Sequence, residues 1–451
     1  MLKKNKPFKS VILSILWMFG FVTLSSAYAQ VTPEMTILTL YEAAQNYDAS
    51  FSSAKLALQA NQEKITQSKA LYSPTVNALV NASVNYANVI NTPITTHSYG
   101  SASVVLAVNY PIWRPSLKQV VNQTEVGVLI SKASLANAEQ ELMLRVTQAY
   151  FDVLLARSTV VTIEAQKVAT TQQLAQAKRE FEVGTKTILD TNEAQSRYDA
   201  LLAQEIVATG EVLAKEDALS LLTGIKSPLL SQVNQAILID LPVPSDKSVW
   251  AARAEQASIA VQIAQLTADL AKYEVKRTQL NKKMTVDLSS TLSYNRGIRS
   301  MMTNANSNVA LATVGIQANY PVYSAGSLDS KDREAALNYD KSLSDLEAVR
   351  RNVSQAARQI YLGFTYGIAQ IKALESSLKS SKTLLASTKL GYSVGVRINL
   401  DVLNAQQLIA VNQTQLAKAR YDSLMLGLRL KALTAQLTIG DLTALAAQLK
   451  Q

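Results

Sequence analysis

The sequence has no cysteine and a single histidine, His97, in 451 residues. Without cysteine there are no disulfides, no thiolate metal sites and no lipid anchor on an N-terminal thiol. One histidine leaves no basis for a zinc cluster or for His-based catalysis. Proline is scarce: none lies between Ser116 and Ser227, and none from Val322 onward. Helices can therefore run there without interruption. No phosphate-binding glycine loop and no GxSxG elbow occurs, and Ser376-x-x-Lys379 is a chance spacing on a lysine-rich helix. No catalytic residue, cofactor or metal is implied.

The net charge of +10 includes Lys3, Lys4, Lys6 and Lys9. These precede an apolar run from Val11 to Leu24 and then Ala27-Tyr28-Ala29. At 14 residues the run is short of the ~20 that a spanning helix needs. Basic region, short apolar core and A-x-A site read as a secretory signal, residues 1–29, removed after Ala29. Of 451 residues, removing 29 leaves 422, at +10 less 4, or +6. That balance is too mild to suggest nucleic acid.

One stretch occurs twice. Val183, Gly184, Leu189, Asp190, Ala194 and Gln195 match Val394, Gly395, Leu400, Asp401, Ala405 and Gln406 at a constant offset of 211, as in 394 less 183. Asn109-Tyr-Pro-Ile-Trp113 returns as Asn319-Tyr-Pro-Val-Tyr323. Twice 211 is 422, so a duplication accounts for the whole mature chain, as repeats 30–240 and 241–451. Each Val-Gly pair marks a sharp helix reversal, because glycine tolerates the left-handed conformation there. Asn399 reads as the N-cap of the helix that follows.

In each repeat the predicted order is helix, strand, strand, long helix, turn, helix. The first helix spans Thr39 to Ala70, and its counterpart runs from Trp250 to about Leu280. Val76, Ala78, Val80, Ala82, Val84 and Tyr86 alternate with Asn77, Asn81, Ser83 and Asn85, with Leu79 the exception. Ala102 to Tyr110, Met284 to Tyr294 and Thr313 to Tyr320 also alternate. This predicts hairpins over 75–110 and 284–320, with Pro111 and Pro321 ending their strands. Asn88 to Gly100 is expected to be a polar loop. Leu135, Ala138, Leu142, Val146, Ala149, Val153, Ala156, Val160 and Ile163 step by three and four, a coiled-coil spacing. Gly184 divides the first proline-free stretch into helices of about 65 and 37 residues, and the last helix is expected from Asn399 to about Leu437. A soluble coiled-coil rod would account for the helices alone.

The strands ask for more. Apolar on one face and small-polar on the other, they suit an outer-membrane barrel. Tyr110, Trp113, Tyr320 and Tyr323 sit at the helix ends of the strands, with Tyr86 and Tyr294 near the loop ends. This is the placing of aromatic girdles at lipid–water borders. Four strands cannot close, and an open edge in lipid leaves backbone groups unsatisfied. Two copies would give eight strands and a filled interior; three would give twelve and room for water. Long paired helices favour three.

Tyr392-Ser-Val-Gly-Val-Arg397 with Asp401, the twin Val-Gly turns, the Asn-Tyr-Pro pair and the tandem halves resemble the TolC family of outer-membrane channels. The resemblance implies a homotrimer: a twelve-stranded β-barrel continued by a long periplasmic α-helical barrel. It implies a passive exit duct for a tripartite efflux pump or type I secretion system. Its partners would be a periplasmic adaptor and an inner-membrane transporter. It implies gate links from Tyr392 and Arg397 to Asp190, and a pore constriction at Asp401. Asn404 stands where the family pattern has a second acid, and Leu189 where it has a threonine. Val183, Gly184, Val394 and Gly395 would face the adaptor. The rival is a soluble periplasmic coiled-coil adaptor or structural protein. No glycine-rich lipoyl-like or barrel domain of the kind adaptors carry is found.

Overall fold

The computed structural model describes residues 35–87, 97–185, 187–226, 228–230, 239–298 and 307–450. The leader 1–29 and the loop residues 88–96 and 299–306 lie outside the described residues. The first half contains α1 (Ile37–Tyr47), α2 (Ala49–Ala70), β1 (Thr75–Ala87), β2 (His97–Trp113), α3 (Ser116–Glu182) and α4 (Ile188–Thr223). The second contains α5 (Lys247–Ala257), α6 (Ile259–Leu280), β3 (Thr285–Ile298), β4 (Ser307–Asn319), α7 (Ser327–Ser393), α8 (Asn399–Leu433) and α9 (Ile439–Lys450). α3 and α7 are each 67 residues, about 100 Å of helix. α3 packs along α4, and α7 along α8. The three-and-four stripe of α3 is the buried one: Leu142, Val146 and Val153 are wholly covered.

The helix expected over 39–70 is two helices. Asp48 leaves helical geometry at φ −65°, ψ 116°, ending α1 and capping α2. Its carboxylate accepts the Phe51 N–H at 2.7 Å and a two-pronged pair of bonds from Arg145 at 3.0 and 3.1 Å. The second repeat breaks likewise at Ser258. Both breaks let a short helix fold against the long ones at mid-height. There Ile37, Leu40 and Tyr41 of α1 meet Tyr150 and Phe151 of α3 and Leu442, Leu445 and Leu449 of α9. Tyr421 of α8 stacks on Phe151, ring centroids 4.9 Å apart. α9 was not expected. α8 ends at Leu433, and Thr438 restarts the chain, its N–H donating to Asp441 Oδ2 at 2.8 Å.

The strands form one antiparallel sheet in the order β1-β2-β3-β4. Its register assembles one apolar face: Val80 opposes Val104, Val104 opposes Tyr294, and Tyr294 opposes Ala310. Val76, Leu106, Leu292 and Ile316 continue that face, and all four are exposed in the single chain. The other face carries Asn77, Ser103, Thr291 and Thr313. β1 and β4 each have one bare edge.

Pro111 does not end β2, which runs on to Trp113. Pairing with β1 stops at Asn109, so beyond it the missing proline N–H faces no strand on that side. A bulge between Pro111 and Trp113 adds one residue. Strict alternation would put Trp113 on the polar face. The bulge sets it opposite Val286, with the apolar residues. The expected loop over 88–100 is shorter at its C-terminal end, since residues 97–100 already belong to β2.

Asp48 gives the junction of α1 and α2 a pH signature. Burial pushes its carboxyl up, but the Arg145 fork and the Phe51 amide outweigh that and leave its pKa below the ordinary 3.8. A lowered acid stabilises the fold fully above the unfolded value and loses that contribution as pH falls through the folded one. Asp48→Asn should cost about 2–3 kcal/mol at neutral pH, because Arg145 keeps its charge without a partner carboxylate. Denaturant unfolding of the two proteins should converge in acid. Equal stability at neutral pH would contradict this account.

Candidate functional site

The two helical tips are built alike. α3 ends at Glu182, Val183 caps it, and Gly184 takes φ +73°. The Gly184 N–H donates to the Phe181 carbonyl and the Thr185 N–H to the Glu180 carbonyl, both at 2.9 Å. α7 ends the same way: Gly395 takes φ +80°, and the Val396 N–H donates to the Gly391 carbonyl at 2.9 Å. This bonding satisfies carbonyls that a helix end leaves open, and it needs the left-handed residue.

The two restarts differ. Thr187 caps α4, and its N–H and hydroxyl both donate to Asp190 Oδ2, at 3.3 and 3.1 Å. α8 is capped by Ile398, which has no such side chain. Asn399 is the first helical residue and not the N-cap. It is buried, and its Nδ2 donates to the Asp190 carbonyl at 3.4 Å. An amide inside the interface between tips leaves the cap to the backbone.

A second bond joins the tips. The Tyr392 hydroxyl donates to Glu180 Oε2 at 2.8 Å. Burial, then that bond, then the charges of Glu180 and Asp190 push the Tyr392 phenol well above its ordinary value, so it stays a donor. Within one chain the tyrosine's bond thus lands on Glu180, while the Asp190 carboxylate is held by Thr187. Arg397, in the turn just before α8, lies 3.6 Å from Asp401 in the first turn of that helix, with 61% of its side chain exposed. An exposed pair of this kind contributes a few tenths of a kcal/mol. Asp401 and the exposed Asn404 are three residues apart on one face of α8.

Glu180 escaped the sequence argument. A signal was present: a carboxylate in the last turn of a helix opposes the helix dipole and calls for a donor. Exposed aliphatic side chains also surround the expected docking positions Val183 and Val394. Leu189, Val396 and Ile398 are all more than half exposed. At the far end, Tyr86, Tyr110, Trp113, Tyr294, Tyr320 and Tyr323, expected as a girdle, are all exposed.

A sheet with bare edges and a lipid-compatible face, carried on 100 Å helices, is the architecture of one segment of an outer-membrane channel. The family model described as outer membrane efflux protein matches the chain twice, over residues 40–225 and 250–436. The chain belongs to that family. Outer membrane protein TolC of Escherichia coli is 28% identical over 430 residues, covering 93% of this chain and 86% of that protein. Alkaline protease secretion protein AprF of Pseudomonas aeruginosa is 26% identical over 441 residues, covering 96% and 90%. Among solved structures, CusC superposes with TM-score 0.76 at 17% identity, covering 89% of this chain and 92% of that one. The Campylobacter jejuni CmeC outer membrane channel gives 0.76 at 13%, covering 92% and 89%. The protein is an outer-membrane exit channel, a transport protein and not an enzyme, and the soluble adaptor reading falls away.

Space and torsion separate the glycines. A Cβ on Gly184 or Gly395 would meet nothing within 4 Å, so alanine there should cost only about 1–2 kcal/mol of left-handed strain. Gly224, also at positive φ, faces Tyr47 Cδ2 at 2.7 Å, and Gly224→Ala should cost more. Hydrogen exchange at the tips and global unfolding would separate the effects. Equal costs at all three sites would refute this assignment.

Proposed function

We propose that three copies close a twelve-stranded barrel and bring their helices into one coaxial tunnel. The tunnel ends at tips that open against a periplasmic adaptor and an inner-membrane transporter. The observation that carries this reading is the bare edge on both sides of a sheet whose exposed face is apolar. Such edges in lipid cost several kcal/mol per unsatisfied group, and a ring abolishes them. Twelve strands leave an aqueous bore where eight would fill with side chains. The six girdle aromatics anchor the ring at the two membrane borders. The leader 1–29 directs export, and residues 30–240 and 241–451 are its two repeats.

The tips hold the resting tunnel closed. Tyr392 on Glu180 is a neutral donor on a carboxylate, a bond contributing about 1.5–3 kcal/mol. Arg397 is free to exchange its weak partner Asp401 for Asp190 of the neighbouring copy. The Asp401 side chains converge near the threefold axis as a ring of three carboxylates, since Asn404 adds none. The apolar rim of Val183, Leu189, Val394, Val396 and Ile398 with Gly184 and Gly395 receives the adaptor. The passenger, small toxic compound or secreted protein, is specified by the transporter.

The mass of the lipid-embedded complex should equal three chains; a conducting dimer or a stable single copy would reject the ring. In planar bilayers, Tyr392→Phe and Glu180→Gln should each raise resting conductance several-fold, and together no more than either alone. Additive increases would show that the two residues do not form one latch. Asp401→Asn should weaken inhibition by trivalent cations at least tenfold. Unchanged inhibition would remove the carboxylate ring.

A further inference from the structure

The one break in the alternation of β1, Leu79, lies on the polar face of the sheet. Pairing carries that position across all four strands: Leu79 opposes Val105, Val105 opposes Ser293, and Ser293 opposes Leu311. Three of the four residues at this level are branched aliphatics on the polar face, which the proposed ring turns toward the bore. Leu79 and Leu311 are both 55% exposed. The level on one side reads Asn77, Ala107, Thr291 and Thr313, and on the other Asn81, Ser103, Asn295 and Val309. Each level is about 6.8 Å from the next along the strands. The apolar level is therefore a band flanked mostly by amides and hydroxyls, with Ala107 on one side and Val309 on the other. The one carboxylate on this face among the described residues, Asp287, stands three levels away and is forked by Arg114 at 2.7 Å. No charge sits at the band itself.

We infer that this band is a binding site for uncharged amphiphiles with an alkyl or aryl part, on the inner wall of the barrel. The proposal rests on the ring reading, in which β4 of one copy lies beside β1 of the next. Each copy of the ring then contributes one such band to the inner wall. Branched side chains at a wall that otherwise suits water offer apolar area to the tail of a passing molecule. The flanking amides and hydroxyls receive its polar head. The absence of charge favours neutral heads over ions. The site is shallow, so binding is weak and exchange fast, as an exit path requires.

The chain has no cysteine, so Ser293→Cys places a single bimane fluorophore on the band itself. In the full trimer in nanodiscs, sub-micellar hexyl glucoside should shift the bimane emission to the blue and saturate. Butyl glucoside should need several-fold higher concentration, as two fewer buried CH₂ groups demand. Adding Leu79→Ser, Val105→Ser and Leu311→Ser should abolish the shift and its chain-length dependence. Should the triple variant fail to assemble, Leu311→Ser alone should weaken hexyl glucoside severalfold. Equal shifts with and without the aliphatic residues would overturn the proposal. So would a response to an unfolded polypeptide but to neither glucoside. The mass of the disc-embedded complex reports separately whether the ring itself has formed.

Discussion

An unpaired strand edge cannot stay in hydrocarbon, and most of this molecule follows from that. One chain offers two such edges, on β1 and β4, beside a face of valine, leucine and tyrosine. Neither problem has a solution inside the chain, because the helices that could cover the sheet lead away from it. The polar face, lined by asparagine, serine and threonine, suits water only if the sheet curls around some. In the ring we propose, membrane insertion, assembly and the making of a bore share one driving force, the pairing of these edges.

The helices meet a different demand. They must be stiff over about 100 Å and, in the gating we propose, yield at one end. Stiffness comes from the buried stripe of α3 and from ties between the paired helices, such as Arg157 to Glu216 and Lys167 to Glu205. Asn412 and Ser381, bonded at 2.7 Å inside the α7–α8 pair, set its register by a buried polar contact. At the tips the contacts thin out to single hydrogen bonds and an exposed ion pair. The packing thus grades from covered leucine in the shaft to solvated arginine at the tips.

Periodicity made the strands, the long helices and the duplication legible, because period two and period three-and-four are written in residue type. What escaped were local substitutions for the regular pattern. Asp48 supplies a better partner to Phe51 and Arg145 than a continuing helix would, and so breaks it. Pro111 is tolerated because its neighbour strand has already ended. Trp113 reaches the apolar face through a bulge that no alternation rule contains. α9 hides behind Gly440 and a five-residue turn, and its leucines gain meaning only once α1 is beside them. At the tips, the resemblance pointed Tyr392 and Arg397 to Asp190, and periodicity gave no hint that within one chain Thr187 engages the Asp190 carboxylate and the Tyr392 hydroxyl donates to Glu180.

Arg114 and Asp287 join the residue just after β2 to the base of β3, and so tie the first repeat to the second where sheet becomes helix. Two parallel bonds fix a plane as well as a distance. In the assembly we propose, a twist applied at the tips meets resistance to swivelling at this joint, so the tie couples the tunnel to the barrel above it.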